Sequence, residues 1–376
     1  MINSGRLLST FLDLVKIDSL TFAEKSLANY IGKRLKKMGI SFEIDSAGRK
    51  VGSDTGNLIA RLPARGKSNA RPILFAAHMD TVAPGTGVKP VVRNDTVRSN
   101  GDTVLGADDK AGCGIILESL QSLIEENLPH GDMEVVFTIA EEKGLLGAKC
   151  LDFNKLKAKW GFVMDGDGTI GNIIVKAPYQ DALKIVFKGK AAHAGVNPEK
   201  GISAIRGASI AISRMKLGRI DEETTANMGV IEGGRAINIV PDETVIEGEA
   251  RSHSKAKLKV QVRHMLACAK EANREVGTKT EVELKRLYDG FAFSEKDRVV
   301  SVAMEAASRI GVTPNLVASG GGSDTNIFNK EGIRAVNLSV GAKDVHTTDE
   351  SVSIEAMVKA AEMVIQLIEL AGGATG

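Results

Sequence analysis

The residues best suited to chemistry in this chain stand directly after short apolar runs. His78-Met79-Asp80 follows the apolar run 73–77. Because residues two apart along a strand face the same side, the imidazole of His78 and the carboxylate of Asp80 can project together. A lone histidine at a strand end is usually only a polar terminus. The acid two residues later favours a functional role for this pair.

Two adjacent aspartates, Asp108 and Asp109, precede a segment with helical periodicity at 111–125. Aspartates in this position often do no more than cap the N-terminus of a helix. Here they follow Gly106 and lead into a helix rich in small residues, which suits a close approach of the backbone to a bound ion. Both interpretations are open at this stage.

Three further polar clusters have a similar placement, each after a predicted strand. They are Glu141-Glu142 after 133–140, Asp165 after 160–164 and His346 after 335–340. Paired glutamates at a buried strand end are costly unless a cation or a proton compensates them. Asp165 alone has the simpler alternative of a turn residue.

Together the clusters supply two histidines and at least three carboxylates. That set suits a pair of zinc-like divalent ions, each bound by imidazole and carboxylate and both bound by one shared carboxylate. Such a pair activates a water molecule and stabilises a tetrahedral intermediate. A glutamate that binds no metal would take the proton of the water.

Apolar strands that alternate with helices predict an α/β layered domain to position these clusters. Residues 5–40 have the periodicity of a helix, and helical patterns recur at 111–125, 297–310 and 353–370. In open sheets of this class, ligands bind outside the carboxyl ends of the strands. The polar clusters therefore have a reason to converge.

The middle of the chain has a different pattern. Alternation of apolar and polar residues predicts strands at 182–188, 243–251 and 280–286, and longer periodic segments predict helices at 202–215 and 255–275. Two helices on a small antiparallel sheet form a unit of their own. We therefore predict one α/β domain interrupted by an inserted domain.

Composition limits the classes of function. The 376 residues have a formal net charge of +2, which gives no electrostatic footprint for nucleic acid or for a membrane surface. No apolar run reaches the roughly 18 residues of a membrane span, and Asp13 interrupts what would be a signal-peptide core. Three distant cysteines exclude a disulfide framework, so we expect a cytoplasmic protein.

The five clusters, in this order, resemble the M20 family of metallopeptidases, and within it the peptidase T-like members. The quoted motifs are His78-x-Asp80, Gly106-Ala-Asp108-Asp109-Lys-Ala-Gly112, Glu141-Glu142, Asp165 and His346. The resemblance implies a zinc-peptidase-like catalytic domain, with a mixed sheet flanked by helices, from residues 1–174 and 286–376. It also implies a smaller inserted α+β lid and dimerisation domain at 175–285.

The resemblance also implies two divalent ions per subunit, zinc foremost, with cobalt and manganese as alternatives. It assigns His78 and Asp165 to one ion, and Glu142 and His346 to the other. Asp108 would bind both.

Further roles follow from the same resemblance. Asp108 is preferred to Asp109 as the bridging residue because it falls at the Ala-Asp position of the family motif. Asp80 would orient His78 from behind and raise its basicity. Glu141 would act as general base and then as the acid that protonates the leaving amine.

The inserted domain contains three more candidates by resemblance. His193, in Gly189-Lys-Ala-Ala-His-Ala-Gly195, corresponds to a lid histidine that reaches the active site of a dimer partner and stabilises an oxyanion. Asn238 and Arg251 resemble residues that contact substrate. For Arg251 the alternative is a surface arginine on a strand.

The function implied is removal of the N-terminal residue from short peptides, tripeptides in particular, by a homodimer joined through the inserted domain. A second hypothesis keeps the metals but makes the enzyme a deacylase or carboxypeptidase that acts on N-acyl amino acids or other small amides. A third is a non-catalytic binding dimer, which would be expected to lack a ligand or the base. The sequence lacks neither.

Overall fold

The computed structural model describes residues 2–372, and the chain forms two compact units. The first unit runs up to Val175 and includes 292–318 and the chain from Ser323 onward. The second unit comprises 176–291 and 319–322. Its return boundary lies beyond the expected position after residue 285, because the last long strand of this unit continues to Tyr288.

Within residues 2–372, the α-helices are Ser4–Lys16 (α1), Lys25–Lys37 (α2), Ala47–Val51 (α3), Ala107–Glu125 (α4), Leu146–Cys150 (α5), Ala204–Arg214 (α6), Lys255–Val276 (α7), Arg298–Arg309 (α8), Asp324–Lys330 (α9) and Ile354–Gly372 (α10). Among these described helices, none combines the length and the apolar character that a membrane span requires.

The strands are Ser41–Ile44 (β1), Leu58–Leu62 (β2), Ile73–His78 (β3), Val91–Arg93 (β4), Thr96–Arg98 (β5), Met133–Thr138 (β6), Trp160–Asp167 (β7), Asn172–Ala177 (β8), Tyr179–Lys188 (β9), Gly218–Asp221 (β10), Thr224–Gly233 (β11), Glu243–Ser252 (β12), Lys279–Tyr288 (β13), Phe291–Ala292 (β14), Asn315–Ala318 (β15), Arg334–Lys343 (β16) and Ser351–Ser353 (β17).

The first unit contains a mixed sheet flanked by helices, as the family resemblance implies. Its strand order is β1-β2-β6-β3-β7-β16-β17-β5-β4. The four central strands β6, β3, β7 and β16 are parallel, and the pairs on either side of them are antiparallel. Parallel strands share a direction, so their carboxyl ends meet at one edge of the sheet.

Strand β3 shows why the centre of this sheet is apolar on both faces. Ile73, Phe75 and Ala77 belong to one hydrophobic cluster, and Leu74 and Ala76 belong to another. Successive side chains of a strand point to opposite faces, so both faces are covered. A continuous apolar run of this kind is typical of a parallel strand between layers of helices.

The expectation of one helix over residues 5–40 is wrong. The structure has two helices, α1 and α2, separated by residues 17–24. Phe22 has a φ of 76°, which no helix accommodates. The apolar periodicity runs across the break because both helices bury apolar side chains, Phe11 and Leu27 among them, in the same core.

The second unit has a five-stranded antiparallel sheet with the order β10-β11-β12-β9-β13. Leu183, Ile185 and Phe187 alternate along β9 and form a core with Ala208 of α6 and Met265 of α7. This is the α+β unit that the alternating pattern predicts.

Candidate metal centre

The carboxyl ends of the four parallel strands bring together the residues that the sequence analysis singles out. His78 ends β3, and Asp165 lies near the end of β7. Glu142 follows β6, and His346 follows β16. Asp108 comes from the first turn of α4, where its own backbone angles are not helical. Residues far apart in sequence thus meet at one edge of the sheet.

Asp108 lies between the two histidines. Its Oδ1 atom is 3.0 Å from Nε2 of His78, and its Oδ2 atom is 3.1 Å from Nε2 of His346. Asp165 Oδ1 is 3.5 Å from the same nitrogen of His78, and Glu142 Oε1 is 2.9 Å from that of His346. The arrangement therefore has two halves, each with one imidazole and one carboxylate, that share the carboxylate of Asp108.

The ring orientation of His78 follows from its other nitrogen. Nδ1 lies 2.9 Å from the main-chain oxygen of Asp80, which can only accept, so Nδ1 donates. Nε2 is then the nitrogen whose lone pair is available to a metal ion. The carboxylate of Asp80 is farther from Nδ1, at 3.5 Å, so the short contact to this ring is from the backbone.

The carboxylate of Asp80 instead holds the two glutamates. Oδ1 accepts the backbone N–H of Glu141 at 2.9 Å, and Oδ2 accepts that of Glu142 at 3.2 Å. The hydroxyl of Thr21 donates to Oδ2 at 2.8 Å. Asp80 is fully buried, so its hydrogen bonds compensate for lost solvation. It fixes the loop that carries both acidic side chains.

Asp109 differs from its neighbour in how its oxygens are used. The carboxylate is fully buried, with Oδ2 accepting the N–H of His78 and Oδ1 that of Gly112, each at 3.1 Å. Asp109 also has an oxygen within 4.8 Å of ligand atoms of His78 and Asp165. Because both of its oxygens already accept backbone N–H groups, Asp108 is the better candidate for a bridging ligand.

Burial of several carboxylates, reinforced by their mutual repulsion, dominates the electrostatics of the cluster. Burial raises the pKa of Asp165 to about 7, the charges of Asp108 and Asp324 add to that, and the hydrogen bond with His78 opposes it. Burial also raises the pKa of Glu141 well above its usual range, and Asp165, Asp324 and Glu142 raise it further against the effect of His78. The carboxylates of the cluster carry more negative charge than the imidazoles of His78 and His346 can neutralise.

The histidines and Asp108 respond to this excess charge. Hydrogen bonds to Asp108 and Glu142 raise the pKa of His346 to about 10. Burial would lower the pKa of His78, but the nearby carboxylates of Asp108, Asp165 and Asp80 raise it well above its usual value. Burial opposes ionisation of Asp108, yet the bonds to His346 and His78 depress its pKa. The electrostatic potential between these carboxylates and imidazoles is therefore negative and favours a bound cation or proton.

The donor set fits divalent metal ions on these grounds. It offers imidazole nitrogen and carboxylate oxygen, which suit zinc, cobalt and manganese. The one thiol nearby does not take part, because Cys113 Sγ lies 3.3 Å from the main-chain oxygen of His78 and burial raises its pKa. Cations in the two halves would compensate the charge that otherwise keeps Asp165 and Glu141 hard to ionise.

Two positioning residues were not found from the sequence. Glu350 is buried and accepts the N–H groups of Gly106 at 2.7 Å and Asp108 at 2.9 Å, so it fixes the turn that presents the shared carboxylate. Asn337 accepts the N–H of Asp165 at 3.0 Å. Glu350 lies four residues after His346, but nothing in its type or spacing distinguishes it from a surface acid.

In the second unit, His193 and Asn238 lie side by side. The bridge between His193 and Ile239, and the hydrogen bond from the N–H of Ala194 to the oxygen of Asn238 at 2.9 Å, join the two segments. Both side chains are exposed. Arg251 is on β12, and its Nε and Nη2 donate to the two oxygens of Glu249 at 2.8 and 3.1 Å. Arg251 is thus already paired with a carboxylate.

Comparison with known proteins gives the family. A model of peptidase family M20/M25/M40 matches residues 74–370. The chain belongs to this family. It is a metallopeptidase by that membership.

Three relatives match this chain over nearly its whole length. The Bacillus subtilis (strain 168) protein YqjE is 48% identical and the match covers 98% of this chain and 99% of its own. Among solved structures, aminopeptidase PepT from Bacillus cereus ATCC 10987 is 45% identical, has a TM-score of 0.90 and covers 98% of this chain and 99% of its own. A tripeptidase from Staphylococcus aureus subsp. aureus Mu50 is 40% identical, with a TM-score of 0.94 and 100% of both chains covered.

The geometry of this M20 centre predicts different metal losses for two substitutions. His346→Ala should leave about one ion per chain, because one half keeps its ligands, whereas Asp108→Ala should leave well below one since both halves share that carboxylate. Metal content is measured by mass spectrometry after dialysis at fixed free zinc. His264→Ala, in the second unit, is the control and should keep the wild-type content. Wild-type content in Asp108→Ala would contradict the bridging role.

Proposed function

We propose that this M20 peptidase removes the N-terminal residue of short peptides, tripeptides foremost, with two divalent ions at the strand-end centre. The observation that carries the proposal is the carboxylate of Asp108, whose two oxygens face Nε2 of His78 and of His346 at 3.0 and 3.1 Å. The substrate class is supported by two similar solved structures, at 45% and 40% identity, which are described as an aminopeptidase and a tripeptidase.

His78 and Asp165 would hold one ion, Glu142 and His346 the other, and Asp108 both. When bound, such ions lower the pKa of a water molecule and polarise a carbonyl group, and zinc is the metal we propose, with cobalt or manganese as substitutes.

Glu141 would take the proton of the attacking water and return it to the leaving amine. Its backbone N–H is fixed by Asp80, so the base is held beside the centre without being one of the ligands. Burial raises the pKa of its carboxyl group above the usual glutamate range, and a higher pKa makes the ionised carboxylate a stronger proton acceptor. His193 would donate a hydrogen bond to the oxyanion.

The second unit would act as lid and dimerisation domain, with Asn238 and Arg251 contacting substrate. Arg251 presents a guanidinium that suits a carboxylate, and Glu249 is its partner in the structure. A cytoplasmic location is part of the proposal, since the three cysteines are free thiols.

The dimer surface that we propose includes the end of β11. Within the described chain, β10 pairs with β11 only over Thr224–Ala226, so the later residues of β11 have one side without a strand. Val230 and Ile231 there are 42% and 53% exposed. Unpaired strand edges with apolar side chains are sites where chains associate. This edge continues into the segment that carries Asn238.

The experiment that tests the function is product analysis on one mixed panel of di-, tri- and tetrapeptides and N-acyl amino acids. The protein is loaded with zinc or cobalt, and a chelated sample is the control. We expect loss of the N-terminal residue from tripeptides, and no products after chelation. Cleavage only of N-acyl or C-terminal bonds would keep the centre but replace the aminopeptidase with the deacylase or carboxypeptidase hypothesis.

The general base is tested by Glu141→Gln. We expect kcat for a tripeptide to fall by about 10²–10⁴-fold, because the amide cannot take a proton from water. Metal content should stay that of the wild type, since Glu141 is not a proposed ligand. Glu331→Gln, an exposed glutamate of the first unit, is the control. A variant with kcat close to the wild type would mean that another group is the base.

The dimer is tested by light scattering on Ile231→Asp. We expect the wild type at twice the chain mass of 39.9 kDa and the variant at the mass of one chain, because a charge at an apolar edge opposes association. Leu284→Asp is the matched control, since Leu284 is 49% exposed but lies on β13 at the opposite edge. A monomeric wild type at micromolar concentration would contradict a role of His193 across subunits.

A further inference from the structure

Four consecutive backbone N–H groups after β6 are held by side chains of buried residues. The N–H of Ile139 donates to Asn57 Oδ1 at 3.1 Å, and that of Ala140 donates to Glu24 Oε1 at 3.0 Å. The next two N–H groups, of Glu141 and Glu142, donate to Asp80, as described above. The segment that follows a strand at the edge of a sheet ordinarily has backbone N–H groups that donate to water. Here side-chain oxygens define its path.

Glu24 is, with Asn57, one of the two acceptor residues of this set that the proposed mechanism does not use. It stands at the position just before α2, and its side chain does not cap that helix. The carboxylate is fully buried, and Oε1 accepts the N–H groups of both Phe22 and Ala140. The hydroxyl of Ser53 donates to Oε2 at 2.6 Å. A buried carboxylate with three donors and a defined geometry is more than a helix start requires.

Ala140 is the residue through which Glu24 can act on the centre. It has a φ of 49°, in the left-handed region that residues with a Cβ rarely adopt. This residue directly precedes Glu141 and Glu142, so its backbone angles set the direction in which both glutamates leave β6. The hydrogen bond to Glu24 holds Ala140 in this turn.

We propose that Glu24 is a positioning residue, which fixes the turn at Ala140 and thereby places the base Glu141 and the ligand Glu142 before any ion or substrate binds. The roles of those two glutamates rest on the proposed function. Glu24 must supply an acceptor atom at hydrogen-bond distance from the N–H of Ala140, since of its two oxygens only Oε1 receives that N–H. Its negative charge is secondary.

Two conservative variants separate the effect of side-chain length at position 24 from the effect of its negative charge. Glu24→Asp keeps the charge but withdraws the acceptor by one methylene. Glu24→Gln keeps an oxygen at the position of Oε1, and its amide NH₂ can donate to the hydroxyl of Ser53 in place of accepting from it. We expect Glu24→Asp to lower kcat for a tripeptide at least tenfold with KM changed less than twofold, and Glu24→Gln to restore most of that loss.

A second readout does not use catalysis. Hydrogen–deuterium exchange of metal-free protein, followed by mass spectrometry, should show faster exchange in the peptide that contains 139–142 for Glu24→Asp and near wild-type exchange for Glu24→Gln. Zinc titration should show that Glu24→Asp binds more weakly the ion that Glu142 and His346 would hold. Glu118→Asp is the matched control, because Glu118 is another buried carboxylate of the first unit that accepts a backbone N–H, that of Asn3 at 2.9 Å. It should change neither kcat nor exchange at 139–142.

The proposal is overturned if Glu24→Asp matches the wild type in kcat and exchange, or if Glu24→Gln loses as much as Glu24→Asp, which would make the charge the essential property. If the wild type cleaves no substrate of the panel, the proposed function fails. The exchange pattern of the two variants then supports or overturns the positioning role by itself.

Discussion

The concentration of carboxylates at one edge of a parallel sheet is the constraint on which the rest of this structure depends. Desolvated negative charges repel each other, and the raised pKa of Asp165 and of Glu141 expresses that cost. The fold meets it by giving carboxylates that are not proposed ligands two backbone N–H donors each, as at Asp80, Asp109 and Glu350. The remaining charge, on Asp108 and its neighbours, is what divalent ions would compensate.

The sheet explains why these residues meet at all. Strands β6, β3, β7 and β16 are parallel neighbours, so the residues that follow them emerge at the same edge, although they come from distant parts of the sequence. Apolar side chains on both faces of β3 pack into two buried clusters, which fix the strand, and with it the position of His78 at its end, within the layered unit. Precision at the centre is thus a property of the whole layered unit.

Much of this could be predicted from sequence, for a physical reason. A run such as 73–77 followed by His78 signals both a buried strand and its polar end, so strand ends and candidate ligands were found together. Glu24, Glu350 and Asn337 could not be found this way, because each acts through hydrogen bonds to backbone that is distant in sequence, and such contacts leave no periodic signal. The break at residues 17–24 was missed because the helices on either side of it bury side chains in a common core.

The choice of acceptor also has a physical reason. An ionised carboxylate only accepts hydrogen bonds, whereas an amide or a hydroxyl can also donate and so permits more than one arrangement. A loop whose N–H groups face carboxylates therefore has one favourable orientation, and charge assistance strengthens each bond in a dry site. Asp80 and Glu350 apply this to the loops of Glu141 and Asp108. Metal ligands and base can then be placed before the ions bind, so that binding need not order the loops that supply them.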